Sequence, residues 1–198
     1  MDTLRNVLGA FLLITLPAGI AYWLVIHPFV GFWRRFKPRV ALIVSFLVMI
    51  VLGVIMAFQV PRLMGNHDYG TQPVLIGVGI ALLGLSIWIN RSCRIVLSLR
   101  TLAGVPELQG KGILPPTLLR QGIYNRIRHP RYVSIALQVI GMACVINYLA
   151  TWICVAAGVA GLLLIVFFEE RELEARFGER YRAYRREVPR FIPRLTRG

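Results

Sequence analysis

The sequence predicts an all-α polytopic membrane protein: about five transmembrane helices, a C-terminal helical hairpin and an amphipathic tail. Three observations carry this. Hydrophobic residues make up 57% of the 198, above the roughly 45–50% of soluble domains, and the mean hydropathy is +0.64. The apolar residues are gathered into long blocks, as membrane-spanning segments require. The 23 Lys and Arg, against 9 Asp and Glu, lie mostly between those blocks and in the tail.

The first block, "LRNVLGAFLLITLPAGIAYWLVI" (4–26), exceeds the 7–15 apolar residues of a signal peptide core and reads as a retained membrane helix. Pro17 and Gly19 mark a place where it can bend. The second block fills 40–60, and the third begins at Val74 with "VLIGVGIALLGLSIWI". Its GxG start lacks the third glycine of a dinucleotide fingerprint, because Leu82 stands there, so it reads as helix packing. The run 133–168 is too long for one crossing of about 30 Å. The turn is expected within "NYLAT" (147–151), giving a hairpin of two helices of roughly 18 residues. Gly141, Ala157, Gly158, Ala160 and Gly161 should let those two helices approach closely. The chain divides into three membrane helices (1–100), a basic loop and RHP junction (101–132), the hairpin (133–168) and the tail (169–198).

Charge sets the orientation. The loop after the first helix holds four Lys and Arg, the next loop one, the stretch 91–131 eight, the hairpin turn none and the tail nine. By the positive-inside rule the C-terminus and both basic loops are cytoplasmic and the N-terminus is outside. A net charge of +14 placed in this way serves orientation and anionic lipid rather than nucleic acid. Cys93, Cys144 and Cys154 form no CxxC pair, and His27, His67 and His129 form no HxxxH, so neither a disulfide framework nor a metal site is expected.

Two polar clusters border the hairpin: "RQGIYNRIRHPRY" (120–132) and "FFEERELEARFGERYRAYRREVPRFIPR" (167–194). A hairpin returns its ends to one face, so the clusters should meet. Pro130 suits the first position of a helix and pushes His129 toward extended geometry. That junction should present free backbone N–H groups, which favour an anion. Tyr132 falls in the first turn, and Gly122 permits a tight approach before Tyr124. Read alone, the stretch also fits an interface anchor of snorkelling Arg and Tyr. Glu169 and Glu170 end an apolar run, where unpaired carboxylates are costly and mark function; Arg128 or Arg131 is their expected partner. Further on, Glu170 with Glu174 and Glu172 with Arg176 stand at i,i+4, Gly178 marks a break, and Tyr181 and Tyr184 share a face. Most of the tail's arginines read as the solvated side of a surface helix.

Together, "GIYNRIRHPRY", the hairpin and "EERELEARFGERYRAYRREVPRFIP" resemble the isoprenylcysteine carboxyl methyltransferase and phospholipid methyltransferase family. The resemblance covers about residues 121–193 and rests on order and spacing. It implies an integral membrane enzyme that uses S-adenosylmethionine and a lipid or lipidated acceptor arriving from the bilayer. It implies a cytoplasmic cofactor pocket lined by Gly122, Tyr124, Arg128, His129, Pro130 and Tyr132 on one side. Glu169 and Glu170 would line the other, with Tyr181, Tyr184, Arg190 and Phe191 closing it. Arg128 and Glu170 are the candidate catalytic residues, Glu170 as the base if the acceptor is an amine. A carboxylate acceptor, as on isoprenylcysteine, needs no base. Two competing readings are an NADPH-dependent reductase of the sterol-reductase type and a non-enzymatic lipid-binding protein.

Overall fold

The computed structural model describes residues 2–65, 67–95 and 118–194. Among them every regular element is a helix. α1 (Asp2–Ile26) runs unbroken through Pro17. A 3-10 turn (His27–Phe29) and a short α2 (Val30–Trp33) reverse the chain. Trp33 Nε1 donates to the Val25 carbonyl at 2.7 Å and ties the reversal back onto α1. α3 (Pro38–Met64), α4 (Pro73–Arg94) and α5 (Pro130–Ile146) each begin at a proline, whose missing N–H has no intrahelical partner to lose there. α5 ends where Asn147 turns left-handed at φ 57°, and after Tyr148 the chain enters α6 (Leu149–Phe177). Gly178, at φ +56°, separates α6 from α7 (Glu179–Glu187).

The five predicted apolar helices are present. α1 with the turn after it, α3, α4 and α6 are each long and apolar enough to cross a membrane; α5, at 17 residues, is shorter. The hairpin turn is only Asn147 and Tyr148. α6 differs from expectation at its far end. Its apolar part, 149–168, already covers about 30 Å at 1.5 Å per residue, yet the helix continues unbroken to Phe177. Glu169 and Glu170 therefore sit on a rigid helix leaving the hydrocarbon layer, not on a separate tail. The loop "GVPELQGKGILPP" lies outside the described residues.

Apolar burial does not draw helices together in lipid, so close packing and interhelical hydrogen bonds must do so. α3 buries only Ala41 and Ser45 and turns Phe46, Leu47, Val51 and Phe58 outward, as a lipid-facing helix does. α4 and α5 meet at Gly79 and Gly141, where a Cβ on either would lie under 3.0 Å from the other's carbonyl oxygen. Ser86 and Ser134 join the same pair, each hydroxyl donating to the other's carbonyl at 2.9 Å. The small residues thus do a different job from the one predicted. Gly141 faces α4, and Gly158 and Gly161 receive Leu16 and Ile20 of α1. They seat the hairpin against earlier helices rather than its two arms against each other.

The polar residues collect at two opposite ends. At one, Arg5 donates through Nε to the Ile146 carbonyl at 2.9 Å and bonds the Asp68 carboxylate. Tyr148 donates to Asn6 Oδ1 at 2.6 Å, and Asn147 Nδ2 to the Gly70 carbonyl at 3.0 Å. The start of α1, residues 67–72 and the hairpin turn therefore share one face. At the other, Arg34 reaches Glu172 at 2.8 Å and the Arg131 guanidinium lies over Trp23 at 5.2 Å.

Candidate active site

The second end holds the expected meeting of the two clusters. Gly122, at φ +56°, opens a 3-10 turn (Gly122–Asn125) that turns Tyr124 inward. Burial raises the pKa of its hydroxyl, with Cys93 and Glu169 adding to the effect. Pro130 then starts α5 and holds His129 outside the helix at φ −122°, ψ 54°. Two membrane lengths later, α6 delivers Glu169 and Glu170 to the same place.

Glu170 is the centre. Its side chain is 6% exposed. Oε1 receives Arg128 Nη2 at 3.0 Å, Arg190 Nε at 3.1 Å and His129 Nε2 at 3.1 Å. Oε2 takes the second arm of Arg190, completing a two-point guanidinium grip. A carboxylate buried at this depth is costly unless paired and hydrogen-bonded; here two guanidinium groups and an imidazole satisfy it. Of the two expected partners, Arg128 takes the role and Arg131 goes to Trp23.

The tail is stitched to the junction by backbone as well. The N–H groups of Arg128 and His129 donate to the carbonyls of Pro189 and Arg190 at 2.9 and 3.1 Å. Those N–H groups are thus not free for an anion, contrary to the sequence expectation. The Val188–Pro189 backbone after α7 leaves helical geometry and can present consecutive carbonyls to them.

Around this core, Tyr132 and Phe191 flank the His129 ring at centroid distances of 5.7 and 6.1 Å. His129 Nδ1 faces Glu169 Oε2 at 3.7 Å. Of the buried polar atoms without a hydrogen-bond partner among the described residues, three belong to this cluster: Glu169 Oε2, Arg128 Nε and the Tyr181 hydroxyl. Burial and the Glu170 charge raise the Tyr181 pKa, so it stays a neutral O–H. Tyr184 sits apart. Its hydroxyl donates to the Tyr124 carbonyl at 2.6 Å, its ring lies under Arg120, and burial pushes its pKa up to about 12. With Val188, Leu173 and Phe177 it forms the small core that fixes α7 to α6. Gly122 and Pro130 shape the backbone.

Sequence reasoning missed several neighbours. Cys93 of α4 lies against Tyr124. Trp23 lies under Arg131 and stacks on His27 at 5.1 Å. Glu172 pairs with Arg34 and faces His27, not Arg176, and Glu174 pairs with Arg185 at 2.9 Å. The long-range contacts among these join α4 to the 3-10 turn at Tyr124, α1 to the start of α5, and Arg34 and His27 to α6, and no local spacing signals them.

The family model for phospholipid methyltransferases matches residues 74–180, more than half of the chain. The match contains α4, the RHP junction, the hairpin, Glu169 and Glu170. It stops before Tyr181 and Arg190 and begins after α3. No curated protein and no solved structure matches.

Proposed function

The chain belongs to the phospholipid methyltransferase family, and from that premise we propose that it transfers a methyl group from S-adenosylmethionine to the amine of a membrane phospholipid at the Glu170 cluster. One observation carries the assignment to this site. Arg128, His129 and Arg190, from two segments separated by the hairpin, converge on one buried carboxylate at the end of a membrane-spanning helix. That is the depth at which a water-soluble cofactor and a lipid headgroup can meet.

The donor set fits the cofactor. Arg128 Nε and the Tyr181 hydroxyl are donors without partners, suited to the cofactor's carboxylate or a ribose oxygen, and Glu169 Oε2 remains as an acceptor for the lipid's ammonium. Tyr132 and Phe191 offer ring faces to an adenine or, through cation–π attraction, to a sulfonium. When bound, the cofactor supplies an electrophilic methyl group. This chain's contribution is alignment and exclusion of water. Glu170 fixes Arg128, Arg190 and His129 in one arrangement. Tyr124 and Glu169 bound the α4 side, and Tyr184 holds α7 closed over the junction. The basic end that carries the site is assigned to the cytoplasm, where the cofactor is made, in accord with its Lys and Arg content.

Calorimetry on the purified protein in detergent tests this reading. Saturable binding of S-adenosylmethionine is expected, with no binding of NADPH. Binding of NADPH in its place would favour a reductase.

A further inference from the structure

We propose that His129, through Nδ1, takes the proton from the lipid amine, and that Glu169 beside it holds the ammonium until transfer. This rests on the methyl-transfer reading above. Glu170 is the obvious candidate for a base by residue type, but its geometry opposes that role. Both of its oxygens already receive donors, from Arg128, Arg190 and His129. A proton added there would break a two-point guanidinium grip.

The same grip prepares His129. Glu170 is flanked by two guanidinium groups and accepts a hydrogen bond from Nε2–H at 3.1 Å. A neutral imidazole that donates from Nε2 carries its lone pair on Nδ1. Nδ1 lies 3.7 Å from Glu169 Oε2, and Oε2 is buried with no hydrogen-bond partner among the described residues. Two acceptors facing each other leave a place for a donor that carries positive charge. A primary or methylated ammonium fits it; a carboxylate acceptor is repelled. The ring is held from each side: Glu169 and Glu170 from α6, Arg128 and Tyr132 from the junction and α5, Arg190 and Phe191 from the tail. Its orientation is therefore fixed, as a base with an orienting carboxylate requires.

The step balances without a further reactant. An ammonium N–H bond breaks and its proton passes to Nδ1. The freed lone pair forms the N–CH3 bond as the donor's C–S bond breaks, and that electron pair stays on sulfur. The imidazolium then returns its proton to water.

His129→Gln tests this, because the glutamine amide N–H can still donate to Glu170 while offering no base. The probe is methyl transfer to phosphatidylethanolamine in mixed micelles, followed against pH, with donor binding measured by calorimetry. The expected results are a donor Kd within about 3-fold of the parent and a kcat about 100-fold lower or more. The remaining rate should rise tenfold per pH unit, as free amine becomes the only nucleophile. Glu169→Gln should raise the KM for the lipid. A His129→Gln variant with the parent kcat and pH profile overturns the proposal. So does one that loses donor binding, since His129 then serves the donor alone. A parent protein that binds no donor or methylates no lipid overturns the underlying reading, and this inference with it.

Discussion

At the residue scale, one carboxylate holds the site together. Glu170→Gln keeps the shape but leaves Arg128 and Arg190 without their counter-charge, and removing one partner of a buried pair costs on the order of 3 kcal/mol. We expect a clear fall in thermal stability in detergent and at least a tenfold weaker Kd for S-adenosylmethionine. Glu179→Gln is the contrast. Its partner Arg186 is exposed at 2.8 Å, exposed pairs contribute little, and neither quantity should change. That Glu169 or Glu170 pairs with Arg128 or Arg131 was legible in the sequence, because a carboxylate at the end of a membrane span demands a cation; which pair forms came from the structure. Arg190 was legible only through the family pattern, since nothing in "VPRFIP" signals that its backbone bonds the RHP junction. The pairing of Glu172 with Arg34 was not legible at all. An i,i+4 arginine is the local expectation, but a helix that projects past the bilayer can reach the first loop instead.

At the element scale, contacts between backbones set the helix positions. A methyl added at Gly141 would meet the Gly79 carbonyl at 2.9 Å, and backbone cannot swing away. One added at Gly158 would meet Leu16 Cδ2 at 2.6 Å and Cγ at 2.9 Å, atoms of a side chain rather than backbone. Gly141→Ala should therefore lower the unfolding temperature more than Gly158→Ala, with overpacking of about 1–3 kcal/mol at the first; differential scanning fluorimetry in detergent compares them. The presence of five helices was legible from block length, and the hairpin turn from the excess length of 133–168. Which helix each glycine faces was not, because small residues announce close approach without naming the partner. Helix past Glu170 with a break at Gly178 was legible from composition, but not that it continues the membrane helix without interruption, because apolar content ends at Phe168.

At the scale of the whole molecule, the two polar ends do different work. The end with Arg5 and Asp68 clamps the start of α1, residues 67–72 and the hairpin turn. The Arg5 guanidinium lowers the Asp68 pKa, with the Gly70 N–H assisting. A carboxylate depressed in the folded state stabilises above its unfolded pKa of about 3.9, and that contribution is lost as pH falls through the lower folded value. The unfolding temperature should thus drop below about pH 4, and Asp68→Asn should be less stable at neutral pH with a flatter acid limb. The opposite end holds the Glu170 cluster, the place at which we propose that cofactor and acceptor meet. Its assembly from α1, α4, the hairpin and the tail was legible only as a hairpin closure. The contribution of α1 and the turn after it, through Trp23 and His27, came from the fold.

The central claim is that the Glu170 cluster is a methyl-transfer site for membrane lipid. The most direct measurement incubates the purified protein, reconstituted in phosphatidylethanolamine bilayers, with S-adenosylmethionine labelled in its methyl group, and analyses the extracted lipid. The account predicts label in N-methylated phospholipid, and none with Glu170→Gln. Label absent from lipid despite tight donor binding, or undiminished in Glu170→Gln, would contradict it.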